Sequence, residues 1–491
     1  MVSSNAFRPL TIALAPVFLA ACMVGPDYVR PEPPLPPAWH TSVEPVSFEP
    51  GAPVGRWWDQ FRDPELTRLV ERAVHANLDL VQATARVAEA QALYGATASA
   101  LFPAIDAQGD VFRQRSSVNA LFPGGDEDTL YQIGVSAGWE VDLWGRVRRS
   151  VESAGASLEA SDEDRRAVLV AVMAEVARSY LDARTLQQRL AVARKNLESQ
   201  RQIVELTRVR FEGGIASSLD VAQAESVYAS TRTIIPPFES ALAQQFNRLS
   251  VLLGENPGAI AEELAQPAPI PPPPAALTVS LPADVVRQRP DVRRAERELA
   301  AQTARIGVAT AELYPRLTLL GQFGFDATKA ADLFQGPSRS YSVGPSVTWP
   351  VFDAGRIRSL IGAEEARTAQ ALARYEQTIL LAFEEVENAL VAFARLRDER
   401  EATLDAVDAA NLSLELSTAL YKDGLVDFQN VLDAQRTVLQ FEDQLARVDG
   451  ALVQSLVQLY RALGGGWAAM EPPVEEGPQQ AHGRPEEAGH A

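Results

Sequence analysis

The sequence has 491 residues, of which 46% are hydrophobic, ample for a large core. Its formal charge of −19 speaks against a nucleic-acid surface, which needs clustered Lys and Arg. A single Cys excludes an internal disulfide framework or a cysteine-rich metal site, and the four His (His40, His75, His482, His490) draw no triad or metal cluster, so no catalysis is expected.

Residues 1–21 carry Arg8, an apolar run from Leu10 to Leu19 and the small residues Ala20-Ala21 ahead of Cys22. This resembles a bacterial lipoprotein signal peptide, with Cys22 the lipidated first mature residue. Met23 follows it, and the absence of Asp there resembles lipoproteins sorted to the outer membrane. Residues 22–64, with the proline-rich run Pro31–Pro37, are predicted to be an extended lipidated segment. No later segment is long and charge-free enough for a transmembrane helix.

Residues 65–254 read as a first repeat. A helix over 65–101 stops at Leu101-Phe102-Pro103, because proline disfavours helix in the residue before it. A strand over 104–113 and a polar loop through Phe122–Asp126 lead to a second strand. There Tyr131, Ile133, Val135, Ala137, Trp139 and Val141 alternate with polar or small residues. Trp139–Arg148 reads W-x-V-x-x-x-G-R-[VI]-R, after which the period becomes helical as far as Phe211. That helix of about 65 residues is roughly 100 Å long, beyond any ordinary globular core. Gly213 or Gly214 is the expected left-handed cap and Ser217 or Ser218 the next N-cap. A return helix over 219–253 contains Pro236-Pro237, predicted to kink or break it.

Residues 255–282 are a proline-rich linker without strand or helix period. The order then repeats over 283–464, with the junction pattern at Trp349–Arg358, offset by 210 from the first. Strands cover 316–325 and 341–351, a long helix 355–421, a turn containing Gly424, and a return helix ending at Leu463-Gly464. Residues 465–491, rich in Pro, Glu and Gly, are expected to be disordered.

Each chain thus offers four strands of about ten residues with one apolar and one polar face, the length of a tilted transmembrane β-strand. Four strands cannot close a barrel, and an open sheet edge is not tolerated in lipid. Closure must come from oligomerisation, and three chains supply twelve strands around a water-filled lumen. The expected fold is an α+β membrane protein with two internal repeats, its trimeric outer-membrane β-barrel continuous with long helices.

The lipobox, Val24-Gly25-Pro26-Asp27-Tyr28-Val29-Arg30-Pro31, Arg56-Trp57-Trp58, the paired junctions, the two glycine-containing turns and Ala462–Trp467 resemble the TolC-type outer-membrane factors, in their lipoprotein (NodT/OprM-like) branch. The resemblance implies a homotrimer in the outer membrane, anchored at Cys22, with an α-helical periplasmic barrel. It also implies an exit duct for drugs or other small toxic compounds, served by a periplasmic membrane-fusion adaptor and an RND-type inner-membrane pump, without cofactor or catalysis. Positions matching the periplasmic aperture are Asp220, Gln223, Asn430 and Asp433, Asn430 standing where the family often has an acid. Gly214, Ser218, Gly424 and Phe428 match tips that contact the adaptor. At the strand-to-helix junctions, Trp139 and Trp349 fit an interfacial aromatic girdle, Gly145 and Gly355 let strand become helix, and Arg146 and Arg356 meet lipid head groups or acidic neighbours. Type I protein secretion and metal efflux are the alternatives within the channel class; a periplasmic coiled-coil scaffold or adaptor lipoprotein is the alternative outside it.

Overall fold

The computed structural model describes residues 23–41, 46–50, 55–115, 117, 119, 127–274 and 277–471. The signal peptide, Cys22, the loop at Phe122–Asp126 and the chain beyond Glu471 lie outside the described residues. In chain order the elements are β1 (Val46–Phe48), a 3-10 turn at Trp57–Phe61, α1 (Pro64–Ala76), α2 (Leu78–Ala98), β2 (Ala104–Arg115), β3 (Glu127–Val141), α3 (Arg146–Glu212) and α4 (Ser218–Leu252). The second half supplies β4 (Leu277–Val279), α5 (Pro282–Gln288), α6 (Pro290–Ala311), β5 (Arg316–Ala327), β6 (Arg339–Thr348), α7 (Arg356–Lys422), α8 (Phe428–Ala462) and α9 (Trp467–Met470). The duplication is metrical as well as sequential: α3 and α7 each have 67 residues, and α4 and α8 each have 35.

The chain divides into two units. The first, built from the segments Asp79–Val168 and Arg289–Glu384 with the chain up to Pro37, holds an antiparallel sheet in the order β2-β3-β5-β6. One cross-strand row reads Ala107, Val135, Phe323, Tyr341; the adjacent row, on the opposite face, reads Gln108, Gly134, Gly324, Ser340. The two faces are therefore sorted into apolar and polar, as the period-2 pattern requires. Among the described residues, the outer edges of β2 and β6 have no strand partner. Alongside, α6 is laced to α3 by Arg293–Glu163 at 2.6 Å, Arg294–Asp164 at 2.5 Å and Arg297–Glu159 at 3.1 Å.

The second unit takes Ala38–Leu78, Leu169–Gln288 and Glu385 onward. At its heart Trp57, Trp58 and Phe61 are buried, with Trp57 stacked on Tyr460 at 5.4 Å and edge-on to Trp58 at 5.6 Å. Tyr180 donates to Asp63 at 2.6 Å, and that carboxylate also caps α1. Burial and the Asp63 partner push the Tyr180 hydroxyl far above its ordinary range. The segment before this aromatic knot is tied down too. Glu387 accepts from the backbone N–H groups of His40 and Thr41, Trp39 donates to the Ser280 carbonyl, and β1 pairs in parallel with β4.

Several expectations are corrected. The first helix is two, because Asn77 adopts extended backbone (ψ 127°) and its buried amide donates to the Leu252 carbonyl, one of the orphan acceptors at the end of α4. Arg289, ahead of Pro290, makes the equivalent break between α5 and α6. Pro236-Pro237 do not interrupt α4, which runs through them as one helix. The linker is not without strand structure, since β4 lies in it and Arg184 and Gln187 hold the carbonyls of Gln266 and Leu264. Residues 467–470 are helical, not disordered: α9 follows Gly466 (φ +98°), and Trp467 donates to the Gln288 carbonyl. β6 ends at Thr348, leaving Trp349 and Val351 beyond the strand.

Trp57→Ala is expected to cost about 3–5 kcal/mol of unfolding free energy, measured by denaturant titration in detergent. A loss of about 0.5 kcal/mol, the range of surface substitutions, would contradict a structural role for the aromatic knot.

Candidate functional site: strand-to-helix seam and hairpin tips

The seam belongs to the first unit. Trp139 donates its indole N–H to the Leu101 carbonyl at 3.0 Å, and Trp349 donates to the Leu313 carbonyl at 3.0 Å. Each tryptophan thereby ties the foot of its strand to the end of the preceding helix, at the same place in each repeat. Gly145 (φ +80°) and Gly355 (φ +87°) make the left-handed turn that redirects strand into helix. The two are not equivalent. A Cβ on Gly145 would lie 2.7 Å from the Met23 side chain, whereas one on Gly355 would meet nothing within 4 Å.

The orphan N–H groups at the starts of α3 and α7 find carboxylates that sequence reading did not single out. Asp142 accepts from Val147 N–H at 3.1 Å and Arg148 N–H at 2.9 Å; Asp353 accepts from Gly355 N–H at 3.0 Å and Ile357 N–H at 2.9 Å. Asp142 stands three residues before its glycine and Asp353 two before, so the 210-residue offset aligns Asp142 with Phe352 and hides the shared acid. The Ile357 amide, followed by burial and the Gly355 amide, acts on the Asp353 carboxyl with a net shift below its usual range. Arg146 meets an acidic neighbour, Glu140, through two bonds of 2.8 and 2.7 Å, whereas Arg356 is exposed.

The chain just after Cys22 docks beside the seam. Val24 N–H donates to the Trp144 carbonyl, and the Gly25 backbone presses on Gly307. Arg149, 2% exposed, donates to the carbonyls of Val24 and Gly25 and pairs with Asp27 at 2.6 Å and Glu152 at 2.8 Å.

The hairpin tips belong to the second unit. Helix α3 closes with Ile215 N–H on the Arg210 carbonyl and Gly214 N–H on the Phe211 carbonyl; α7 closes with Leu425 on Leu420 and Gly424 on Tyr421. Gly214 (φ +72°) and Gly424 (φ +75°) occupy the left-handed position of these Schellman ends. Ser217, rather than Ser218, is the N-cap of α4, in a capping box with Asp220. The second hairpin lacks that box; Asn430 instead donates to the Asp427 carbonyl at 3.2 Å. Asp433 is exposed, accepting from Gln429 at 2.8 Å and paired with Arg436 at 3.4 Å. Asp220, Asn430 and Asp433 thus find their polar partners within their own hairpins, and Gln223 is half-buried.

Phe428 is not a surface tip residue. It is 3% exposed, packed on Tyr421 at 5.1 Å within a cluster with Val204, Val227, Val431 and Leu432, because its position at the first turn of α8 points an aromatic ring between the helices. Apolar groups that do face solvent here include Ile215 and Leu425, each 69% exposed, with Leu219 and Phe211. Arg210, also unanticipated, lies over the Tyr421 ring at 4.6 Å and donates to the Lys422 carbonyl at 2.9 Å, joining the end of α3 to the end of α7.

The sequence model described as outer membrane efflux protein matches residues 69–255 and 281–465, the two repeats. The chain is 34% identical over 466 residues to nodulation protein T of Rhizobium leguminosarum bv. trifolii, covering 93% of this chain and 96% of that one. It is 35% identical over 465 residues to outer membrane protein OprJ of Pseudomonas aeruginosa, covering 93% and 95%. The structure of the outer-membrane channel OprN superposes with a TM-score of 0.85 at 34% identity, covering 91% of this chain and 100% of that one.

Gly145→Ala is expected to lower thermal stability more than Gly355→Ala, because it strains the backbone and also displaces Met23; equal losses would contradict the docking. The Asp353 cap has a lowered folded pKa, so its contribution is present above the ordinary Asp value of about 3.9 and lost as pH falls through the folded value. The stability gap between the parent and Asp353→Ala should therefore shrink on acidification; a gap constant down to pH 2 would refute the cap.

Proposed function

The chain belongs to the outer membrane efflux protein family, and from that premise we propose that three copies close a twelve-stranded barrel and pass cargo through the helical duct below it. The chain is an outer-membrane channel component of an efflux system. The observation that carries the trimer is the sheet, with one face apolar and two edges unpaired among the described residues. In hydrocarbon each unpaired backbone group costs several kcal/mol, so β6 of one copy pairs with β2 of the next. Four strands per chain make three copies the number that reaches twelve. In this arrangement the 67-residue helices form the periplasmic wall.

The lipid on Cys22 sits at the seam, a placement supported by Met23 against Gly145 and by the Arg149 clasp on Val24, Gly25 and Asp27. Acyl chains there enter the membrane beside the foot of the barrel, each methylene contributing about 0.8 kcal/mol.

The tips are the periplasmic mouth, where a membrane-fusion adaptor docks and an RND-type pump delivers cargo. Asp433 narrows that mouth and favours cations, since three-fold symmetry triples each exposed acid. Asp220 contributes less, being half-buried in the capping box with Ser217, whereas Asp433 is exposed. The adaptor reads the turns at Gly214, Ser218 and Gly424 together with exposed Ile215 and Leu425. Asp433→Ala is expected to raise single-channel conductance in planar bilayers and to reduce cation selectivity; parental values for both would exclude Asp433 from the aperture. Ile215→Lys with Leu425→Lys should abolish efflux at unchanged trimer yield, and unchanged drug susceptibility would remove these residues from the adaptor contact.

A further inference from the structure

Three arginines stand on the apolar face of the sheet, at the strand ends remote from the long helices. By the strand alternation, Arg113 and Arg115 share the face of Val111, and Arg339 shares the face of Tyr341 and Val343, the apolar face. All three are exposed. Arg113 makes an ion pair with Glu127 at 2.7 Å, with 75% of its side chain still open to solvent. The side chains of Arg115 and Arg339 have no hydrogen-bond or ion-pair partner among the described residues, although the Arg339 backbone N–H donates to the Gly336 carbonyl.

Their height is informative. Trp349, at the foot of β6, is ten residues from Arg339, about 33 Å along an extended chain. With a strand tilt of about 40°, that is about 25 Å, the height of the apolar band on outer-membrane barrels. Arginine within that band would be costly, so these residues mark its far boundary, opposite the tryptophans. In the cross-strand row of Arg339 and the next same-face row toward the helices lies a groove lined by Gly109, Ile133 and Phe325, then Val135 and Phe323, walled by Phe334 edge-on to Phe325 at 5.8 Å. Phe325 is the cross-strand neighbour of Arg339.

Closure of the barrel, on which this inference rests, gathers the charges. β2 runs toward the remote end and finishes at Arg115, whereas β6 starts there at Arg339. Antiparallel pairing of the two free edges sets Arg339 of one copy beside Arg113 and Arg115 of the next. The geometry points to a phosphoglycolipid site at each of the three subunit junctions: arginines take phosphate monoesters on a sugar head group, and the apolar groove below takes acyl chains. A ligand with several acyl chains under a compact, doubly phosphorylated head, the lipid A type of the outer leaflet, fits both halves.

The test uses the full-length protein purified in detergent and native mass spectrometry, with bis-phosphorylated hexa-acyl lipid A as the probe. Dephosphorylated lipid A with the same chains, phosphatidylglycerol and inorganic phosphate serve as comparisons. The parent trimer should retain up to three probe molecules, binding at least tenfold more tightly than any comparison. The triple variant Arg113→Gln, Arg115→Gln, Arg339→Gln should lose that preference, and the corresponding triple Arg→Lys variant should keep most of it. The same spectra report oligomeric state. A trimer that holds the probe equally in the parent and the Gln variant, or that holds phosphatidylglycerol or free phosphate as well as the probe, overturns the site alone. A parent that is not a trimer overturns the barrel reading and the site with it.

Discussion

An unpaired β-edge has no place in hydrocarbon, and that single constraint governs the chain. Backbone N–H and C=O groups that water would satisfy must find partners within protein, and among the described residues β2 and β6 leave two rows of them open. The apolar face commits the sheet to lipid, so the edges are answered by further copies. Both repeats follow their strands with a helix of the same length, 67 residues.

Duplication does not make the two halves interchangeable. Trp139 and Trp349 do the same work on equivalent carbonyls, as do Gly145 and Gly355 at equivalent turns. The first seam alone receives the N-terminal segment, which is why Met23 crowds Gly145 and Arg149 is buried in carbonyls and carboxylates. At the tips the first hairpin has the capping box, and the second has the Tyr421–Phe428 pair under Arg210. A repeated fold has thus acquired one copy whose seam holds the N-terminal segment and one copy whose tip is packed on aromatic rings.

Long periodic elements were legible because periodicity is a local property. The four strands, both long helices and the two glycine turns follow from alternation, a 3.6-residue rhythm and positive φ at Gly214 and Gly424. Features set by distant partners were not legible. Asn77 ends a helix because Leu252, far along the chain, needs a donor, and β4 forms because β1 lies beside it. Pro236-Pro237 signal a kink or break locally, yet α4 is one helix on both sides of the two missing donors. The motif match sets Phe428 among the adaptor-contacting tips, whereas packing against Tyr421 puts its ring inside the hairpin core. Asp142 and Asp353 escaped notice because their spacing to the glycine differs by one residue.

The claim on which the rest depends is that the free edges of the sheet are paired between copies. Amide hydrogen exchange on the detergent-purified assembly addresses it directly. Pairing predicts that the amides of β2 and β6 are protected to the same degree as those of the interior strands β3 and β5. Rapid exchange along the outer edges of β2 and β6, with β3 and β5 protected, would contradict it.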